Sequence, residues 1–491
     1  MHRTILSRRF TRLMLMSACT APLVLASAGR AETLRDALVR AYNSNPTLQA
    51  ARSGQRANDE NVPLQKSQGR PNLNGTGDYT EVLERPANAF NAPARSTSAA
   101  LSLSVPIYQG GGVKNGVRAA ETRVAAGQDS LRGTEMSVFS NVVAAYMDVI
   151  RDTAIVGFNE QNVHVLEVNL QATNDRFEVG DLTRTDVAQS QSRLALARSD
   201  LEAARSNLIA SKERYIQQVG SPPDALETPP ALPGLPANPE EAVSLALADN
   251  PDILAAQKEV EATGYDVRVA QATRLPTLSA FTRGSYTNYL GTLGSSIPGA
   301  SIAQTQRQAT AGVSLTLPLY QGGAPSARVR QAQARQSQAM ENEVGTERGV
   351  IAQARSAYAS WQASQEVIRS SQAAVDAATL SLEGVRAENS VGSRTILDIL
   401  DAERELLNAK VTLVSARRNA YVAGFTLLAA MGRAEAADLG LDGGPLYDPM
   451  TNYKRVRSSW WDWDTDPKPT PVATRTVDTP AQNANVPPPS E

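Results

Sequence analysis

Hydrophobic and polar positions along this 491-residue chain follow one order of patterns, and that order runs through the sequence twice. Thr33 to Gln65 and Asn238 to Thr273 carry helical spacing. Each is interrupted by an Asn-Pro pair, Asn45-Pro46 and Asn250-Pro251, because the residue before a proline leaves the helical region. Asn238, Pro239 and Glu241 predict a capped start for the second of these segments. Period-two alternation follows. Leu101, Leu103, Val105 and Ile107 alternate with Ser102 and Ser104, and Val313, Leu315, Leu317 and Leu319 alternate with Ser314, Thr316 and Pro318. A weaker strand precedes each, Leu73 to Leu83 and Leu278 to Tyr289, so each copy predicts one β-hairpin with strands of about 10 residues, the length a tilted strand needs to cross a bilayer. A soluble hairpin with one wet face has the same alternation.

The strands run into Tyr108-Gln109-Gly110-Gly111 and Tyr320-Gln321-Gly322-Gly323, where no Gly-Lys-Ser/Thr follows to make a phosphate loop; a strand-to-helix turn is expected. Beyond them lie Lys114 to Glu178 and Ser326 to Asn389, helical stretches that span on the order of 100 Å if unbroken. Gly180 and Gly392 predict tight hairpin turns, after which a heptad seam begins. Val187, Leu194, Leu201, Leu208 and Tyr215 recur in one copy and Ile399, Leu406, Leu413, Ala420 and Leu427 in the other, with alanines at complementary positions. Large-plus-alanine heptads specify close coiled-coil pairs, so each seam is expected against the end of the long helix before it. Matching positions lie 205 residues apart up to Leu73 and Leu278 and 212 apart afterwards, which puts the insertion in the Gly/Ser-rich stretch around Gly291 to Gly299. A period this long is a duplicated domain rather than a solenoid. The boundaries read as 1–31, 32–225 for the first repeat, 226–445 for the second, and a Pro-rich tail over 446–491 that is expected to stay unpacked.

Composition narrows the chemistry. The histidines are His2 and His164 and the one cysteine is Cys19. Arg3, Arg8, Arg9 and Arg12, an apolar run from Leu13 to Ala26 and small residues up to Ala31 read as an export signal, which would remove His2 and Cys19. A lipidated Cys19 is the minor alternative. What remains has no set of ligands for a zinc or iron–sulfur site, no thiol nucleophile, and no Gly-x-Ser-x-Gly elbow near His164; no cofactor, no metal and no enzyme activity are expected. Without residues 1–31, 43 basic residues face 50 acidic ones, so nucleic acid is not an expected partner. No later window is apolar enough for a transmembrane helix, yet an exported protein can still cross a membrane as strands. Four strands cannot close a barrel and an open edge cannot face lipid, so membrane entry requires several chains. Two would give eight strands filled by side chains; three would give twelve and room for a pore.

The repeated helix-hairpin-helix plan, the paired Pro-(Ile/Leu)-Tyr-Gln-Gly-Gly elements and the run from Val391 through Asp398-Ile399-Leu400-Asp401 to Ala402 resemble the TolC family of outer-membrane channel proteins, over nearly all of the chain from Thr33 to Gly432. The resemblance implies an α+β membrane protein of a Gram-negative bacterium: a homotrimer with a 12-stranded outer-membrane β-barrel, four strands per chain, continuous with a 12-helix periplasmic α-barrel of coiled-coil hairpins, plus a mixed equatorial domain. Such a channel-tunnel is a passive exit duct for tripartite efflux pumps or type I protein secretion. Its implied partners are outer-membrane lipid, a periplasmic adaptor and an inner-membrane RND or ABC transporter. The discriminating alternative is a periplasmic coiled-coil scaffold or tether, which would leave the hairpins wet.

At the turns, Thr183-x-x-Asp186 and Thr395-x-x-Asp398 fit capping boxes with aspartate in place of glutamate. Asp401 lies beyond the first turn on the face of Asp398, so three chains would set six carboxylates around one axis as a cation-binding ring. The resemblance makes Asp398 and Asp401 the pore constriction and gives Asp186, Arg394 and Thr185 to the links that hold it shut. Asn389 and Asp175 depart from the family's pattern, where an aromatic link residue and an amide stand.

Overall fold

The computed structural model describes residues 31–84, 92–294, 299–441 and 446–486. The signal-like segment with His2 and Cys19, residues 295–298 of the Gly291 to Gly299 stretch and the 445 boundary fall outside the described residues.

Helices α1 (Leu34–Ser44), α2 (Pro46–Asp59) and α3 (Asn61–Ser67) lead into strands β1 (Asn72–Glu81) and β2 (Arg95–Gln109), then into α4 (Gly112–Glu178) and α5 (Arg184–Val219). The second copy gives α6 (Pro239–Asp249), α7 (Pro251–Ala272), β3 (Thr277–Asn288), β4 (Thr305–Thr316), α8 (Ala324–Ser390) and α9 (Ile396–Ala430), and α10 (Met450–Val456) follows. Asn45 and Asn250 end one helix and cap the next, their side-chain oxygens accepting from the backbone N–H groups of Thr47 and Asp252 at 2.9 Å. Both long helices are unbroken over 67 residues. Strand β4 starts eight residues before the Val313 alternation, at Thr305, because polar Gln306 and Gln308 pair across to β3 as readily as leucines do; it stops at Thr316, ahead of Pro318.

Most of each seam packs as its heptads require, with Val187 and Leu406, the positions nearer the tips, only half-buried. Leu194, Leu201, Leu208 and Tyr215 of α5 are buried together with Ala197 and Ala204 against α4, and Ile399, Leu413, Ala416, Ala420 and Leu427 of α9 are buried in the second hairpin. Helix α4 is enclosed by α2, α5, α7 and α9, whereas α8 packs on α6, α7 and α9 and leaves Leu380, Val367 and Met340 exposed. Midway along α4 the core closes around Tyr146, whose hydroxyl lies 2.8 Å and 2.6 Å from the carbonyl oxygens of Glu32 and Glu227 and so clasps the start of the first repeat to that of the second. The matching Tyr358 donates to Ala237 O at 2.9 Å.

Residues 446–486 are more engaged than their composition predicts. Tyr453 of α10 is buried on α3 and α4 beside Val62, Ala120 and Val124, Val456 is buried as well, and farther on Lys212 Nζ donates to Asn483 O at 2.8 Å. Polar backbone groups of an otherwise coreless segment thus find partners on the helices.

Candidate functional site

The four strands form one antiparallel sheet in the order β1-β2-β3-β4. Directly paired residues share a face, so the register sorts every side chain. Leu73 pairs with Leu103 and Leu103 with Thr282; Gly75, Leu101, Gly284 and Ala309 follow in one row, and Val105, Ala280 and Val313 in another. Apart from Thr282 that face is apolar through its middle, and its polar residues, Glu81, Arg95, Thr97, Asn288, Thr305 and Arg307, gather at the end from Tyr286 onward. The opposite face carries Asn74, Ser102, Arg283 and Thr310 in one row and Thr76, Ala100, Ser285 and Gln308 in the next, with Asp78 and Ser98 beyond. Phe281 is its exception, folded onto Gly312. A sheet that is apolar on one side and polar on the other, with Leu73, Leu101, Val313 and Leu315 each more than 60% exposed on the apolar side, has no core of its own to cover that side. Tyr79 and Tyr286 mark one end of the apolar face, where Arg307 reaches over the Tyr286 ring. A β-bulge between Pro106 and Tyr108 returns Tyr108 to the apolar face at the other end, opposite Leu278. From Leu278 to Tyr286 the strand rises about 27 Å, or roughly 20 Å of height once tilted, close to the apolar band of a transmembrane barrel. Among the described residues β1 and β4 each have one open edge.

The hairpin tips lie at the far ends of α4 and α8. Gly180 and Gly392 sit at φ +83° and +82°, with open space where a side chain would begin. The first turn is closed by Arg176 and Asp181 at 2.6 Å. Thr183 donates from both its backbone N–H, at 2.9 Å, and its hydroxyl, at 2.7 Å, to Asp186 Oδ2. In the second hairpin Thr395 makes the same pair to Asp398 Oδ2, at 2.9 and 2.8 Å. The threonine hydroxyl first, and the backbone amide next, hold both carboxyls below the usual aspartate range, so both are anions.

Arg394 lies on its own hairpin between Glu388 Oε2 at 2.8 Å and Asp398 Oδ1 at 3.7 Å, and the Glu388 bond chiefly raises its basicity. Asn389 closes the turn by donating to Arg394 O at 2.7 Å. Asp401 faces the other hairpin: its carboxylate accepts from Arg193 of α5 at 2.8 Å. Close by on α9, Glu403 is buried between helices and accepts from Arg386 of α8 at 3.0 Å and from Asn169 of α4 at 3.3 Å. Arg193 and Glu403 escaped the sequence reading because each acts across hairpins; an arginine on a heptad flank and a glutamate inside an Ala-Leu seam were the only signals. Asp175 lies near the tip on α4, Thr185 is exposed on the first turn of α5, and His164 is exposed to solvent on α4. The structure therefore brings Asp398, Arg394 and Glu388 together in one group and Asp401 with Arg193 in another.

A family model described as outer membrane efflux protein matches residues 37–221 and 242–433. The chain is 34% identical over 435 residues to outer membrane efflux protein BepC of Brucella suis biovar 1, covering 88% of this chain and 92% of that protein. It is 29% identical over 439 residues to outer membrane protein TolC of Escherichia coli K12, covering 88% of each. Its fold is similar to that of the Campylobacter jejuni CmeC outer membrane channel, with a TM-score of 0.71 and 18% identity over 87% of this chain and 89% of that one.

Proposed function

The chain belongs to the outer membrane efflux protein family, and on that premise we propose that its periplasmic tip is a gate whose constriction is lined by Asp398 and Asp401. The protein is an outer-membrane channel-tunnel of the TolC type, an exit duct for efflux and type I secretion rather than an enzyme. Members of the family form trimeric channels that work with adaptors and inner-membrane transporters. The observation that carries the reading for this chain is the two-faced sheet with open edges. Its apolar face suits lipid and its polar face a water-filled lumen, and three copies joined edge to edge make twelve strands. A periplasmic scaffold would leave the apolar face in water.

At the tip, two kinds of tie are available. Arg193 to Asp401 and Arg386 to Glu403 join helices within a protomer. Asp186, Thr185 and the outer side of Arg394 are the groups we assign to links with the neighbouring protomer. Asp398, fixed by Thr395, and Asp401, fixed by Arg193, would present six carboxylates to the axis of a trimer. Gly180 and Gly392 let the tips turn without side chains that would crowd a neighbour. An adaptor with an RND or ABC transporter is the partner such a gate would answer to. The duplicated units are taken as 32–225 and 226–445, with 1–31 as signal peptide and 446–491 as an appended tail.

Single-channel recording in planar bilayers tests this. Wild-type protein should give small, cation-selective steps, and Asp398→Ala/Asp401→Ala should enlarge the steps and move the reversal potential in a salt gradient toward zero. Unchanged selectivity in the double variant would remove these two carboxylates from the constriction.

A further inference from the structure

The chain has four tryptophans, and three of them, Trp460, Trp461 and Trp463, stand together just after α10 at 66%, 72% and 82% exposure. Their position is fixed from several directions. The α10 helix before them is pinned by buried Tyr453 and Val456, and Lys66 Nζ donates to Arg457 O at 3.1 Å. Arg70 donates to Ser459 O at 2.5 Å and lays its guanidinium over the Trp460 ring, 4.5 Å from the centroid. On the far side, Arg455 holds Asp466 at 3.0 Å, which folds the segment back on itself. Arg70 is two residues before β1, and the neighbouring Gln68 accepts from Gln109 at the end of β2. The tryptophans are therefore held where the sheet meets the helices, at the end of the apolar face that Leu73 and Tyr108 begin.

Exposed tryptophan is costly in water and favourable at the boundary between headgroups and acyl chains, where the indole body meets hydrocarbon and its N–H meets water. The distal end of the apolar face already has such residues in Tyr79 and Tyr286, and the proximal end has Tyr108 and, at 89% exposure, Tyr320. Lys66, Arg70 and Arg457 add cations at the same height, suited to phosphate groups.

We propose that Trp460, Trp461 and Trp463 form a lipid-interface anchor, by which the C-terminal tail of each protomer docks on the periplasmic leaflet of the outer membrane next to the barrel rim. The proposal rests on the membrane assignment of the sheet. In this arrangement the segment after α10 braces the helical tunnel against the bilayer from outside the barrel.

The test uses the full trimer reconstituted in vesicles of phosphatidylethanolamine and phosphatidylglycerol. In the Trp361→Phe protein all tryptophan emission comes from the tail, since Trp361 is the only other indole and lies in the helical core beside Tyr358. Replacing part of the lipid by lipid brominated near the headgroup should quench roughly half of that emission, and lipid brominated near the chain ends should quench markedly less. A protein with all three tail tryptophans changed to phenylalanine, which keeps Trp361, should be quenched by neither. Unquenched tail emission from vesicles that show channel conductance would overturn the proposal and place the patch on protein or in water. Vesicles without conductance would mean that the sheet had not inserted, and the anchor would fall with the membrane assignment.

Discussion

At the scale of single residues, the tip shows one side chain type in two roles. Asp186 and Asp398 are committed to their threonines, so their charge is set by local helix capping before any assembly. Asp401 is set by a partner on another helix. The Arg193–Asp401 pair is partly exposed on both sides, and such a pair contributes about 0.5 kcal/mol. Repeated in a trimer, that amounts to roughly an order of magnitude in the closed-to-open ratio. Arg193→Ala is therefore expected to raise open probability by about tenfold in single-channel records, while Arg198→Ala, whose Glu167 partner lies on its own hairpin, leaves it unchanged. The capping carboxyls set the acid limit. Because their values in the folded protein are lowered, their contribution is fully present above the ordinary aspartate value of 3.8 and is lost as pH falls through the lowered values. Hydrogen exchange at the tip amides should accordingly show no loss of protection through these two groups between pH 7 and pH 5, roughly, and fraying only in stronger acid.

At the scale of elements, the sheet and the hairpins obey different rules for the same leucines. In α5 and α9 heptad leucines such as Leu194, Leu201, Leu208 and Leu413 are buried by a neighbouring helix of the same chain. In β2 and β4 the apolar residues alternate, and Leu101, Val313 and Leu315 are left exposed by the described residues of the chain. Neighbouring positions in β4 should thus respond oppositely to charge. Val313→Arg puts a guanidinium on the apolar face and is expected to cost about 2–4 kcal/mol, read as a lower urea midpoint for unfolding from vesicles. Ser314→Arg, one residue on, points to the polar face; it should leave that midpoint within about 0.5 kcal/mol and reduce cation selectivity. Equal destabilisation by the two would mean that the sheet lacks a lipid face.

At the scale of the molecule, one protomer is visibly incomplete. Among the described residues both sheet edges are open, and α8 is covered on fewer sides than α4 although the two are equally long copies of one plan. The duplication thus breaks its own symmetry: the first long helix is walled in by its own chain, and the second leaves a flank for a neighbour. Consecutive residues of an edge strand send their N–H groups alternately inward to β2 and outward. Of Gly75→Pro and Thr76→Pro, the one that spares the β2 ladder should abolish heat-resistant trimers on unheated gels while leaving the helical circular dichroism of the protomer unchanged. Trimers that survive in both would show that assembly does not run through the β1 edge.

Periodicity alone determined the repeat, the helix breaks at Asn45 and Asn250, the two tip turns and the strands, since each is a local preference written in consecutive residues: proline after asparagine, glycine at positive φ, alternation at period two. Composition also narrows the chemistry, since residues 32–491 hold one histidine and no cysteine. What the tertiary structure decided is whatever joins distant residues. Only the register showed that Gly75, Leu101, Gly284 and Ala309 form one apolar row; alternation within a strand cannot tell which face its neighbour shares. Only packing paired Asp401 with Arg193 and buried Glu403 beside Arg386, because the cost of an unpaired buried charge is set by the facing helix and not by the residues next in sequence. The tail is the sharpest case. Its proline-rich composition predicts no core, and it builds none, yet α10 and Arg70 place three tryptophans at the rim of the sheet, since a segment that cannot fold alone can still be ordered by a surface folded without it.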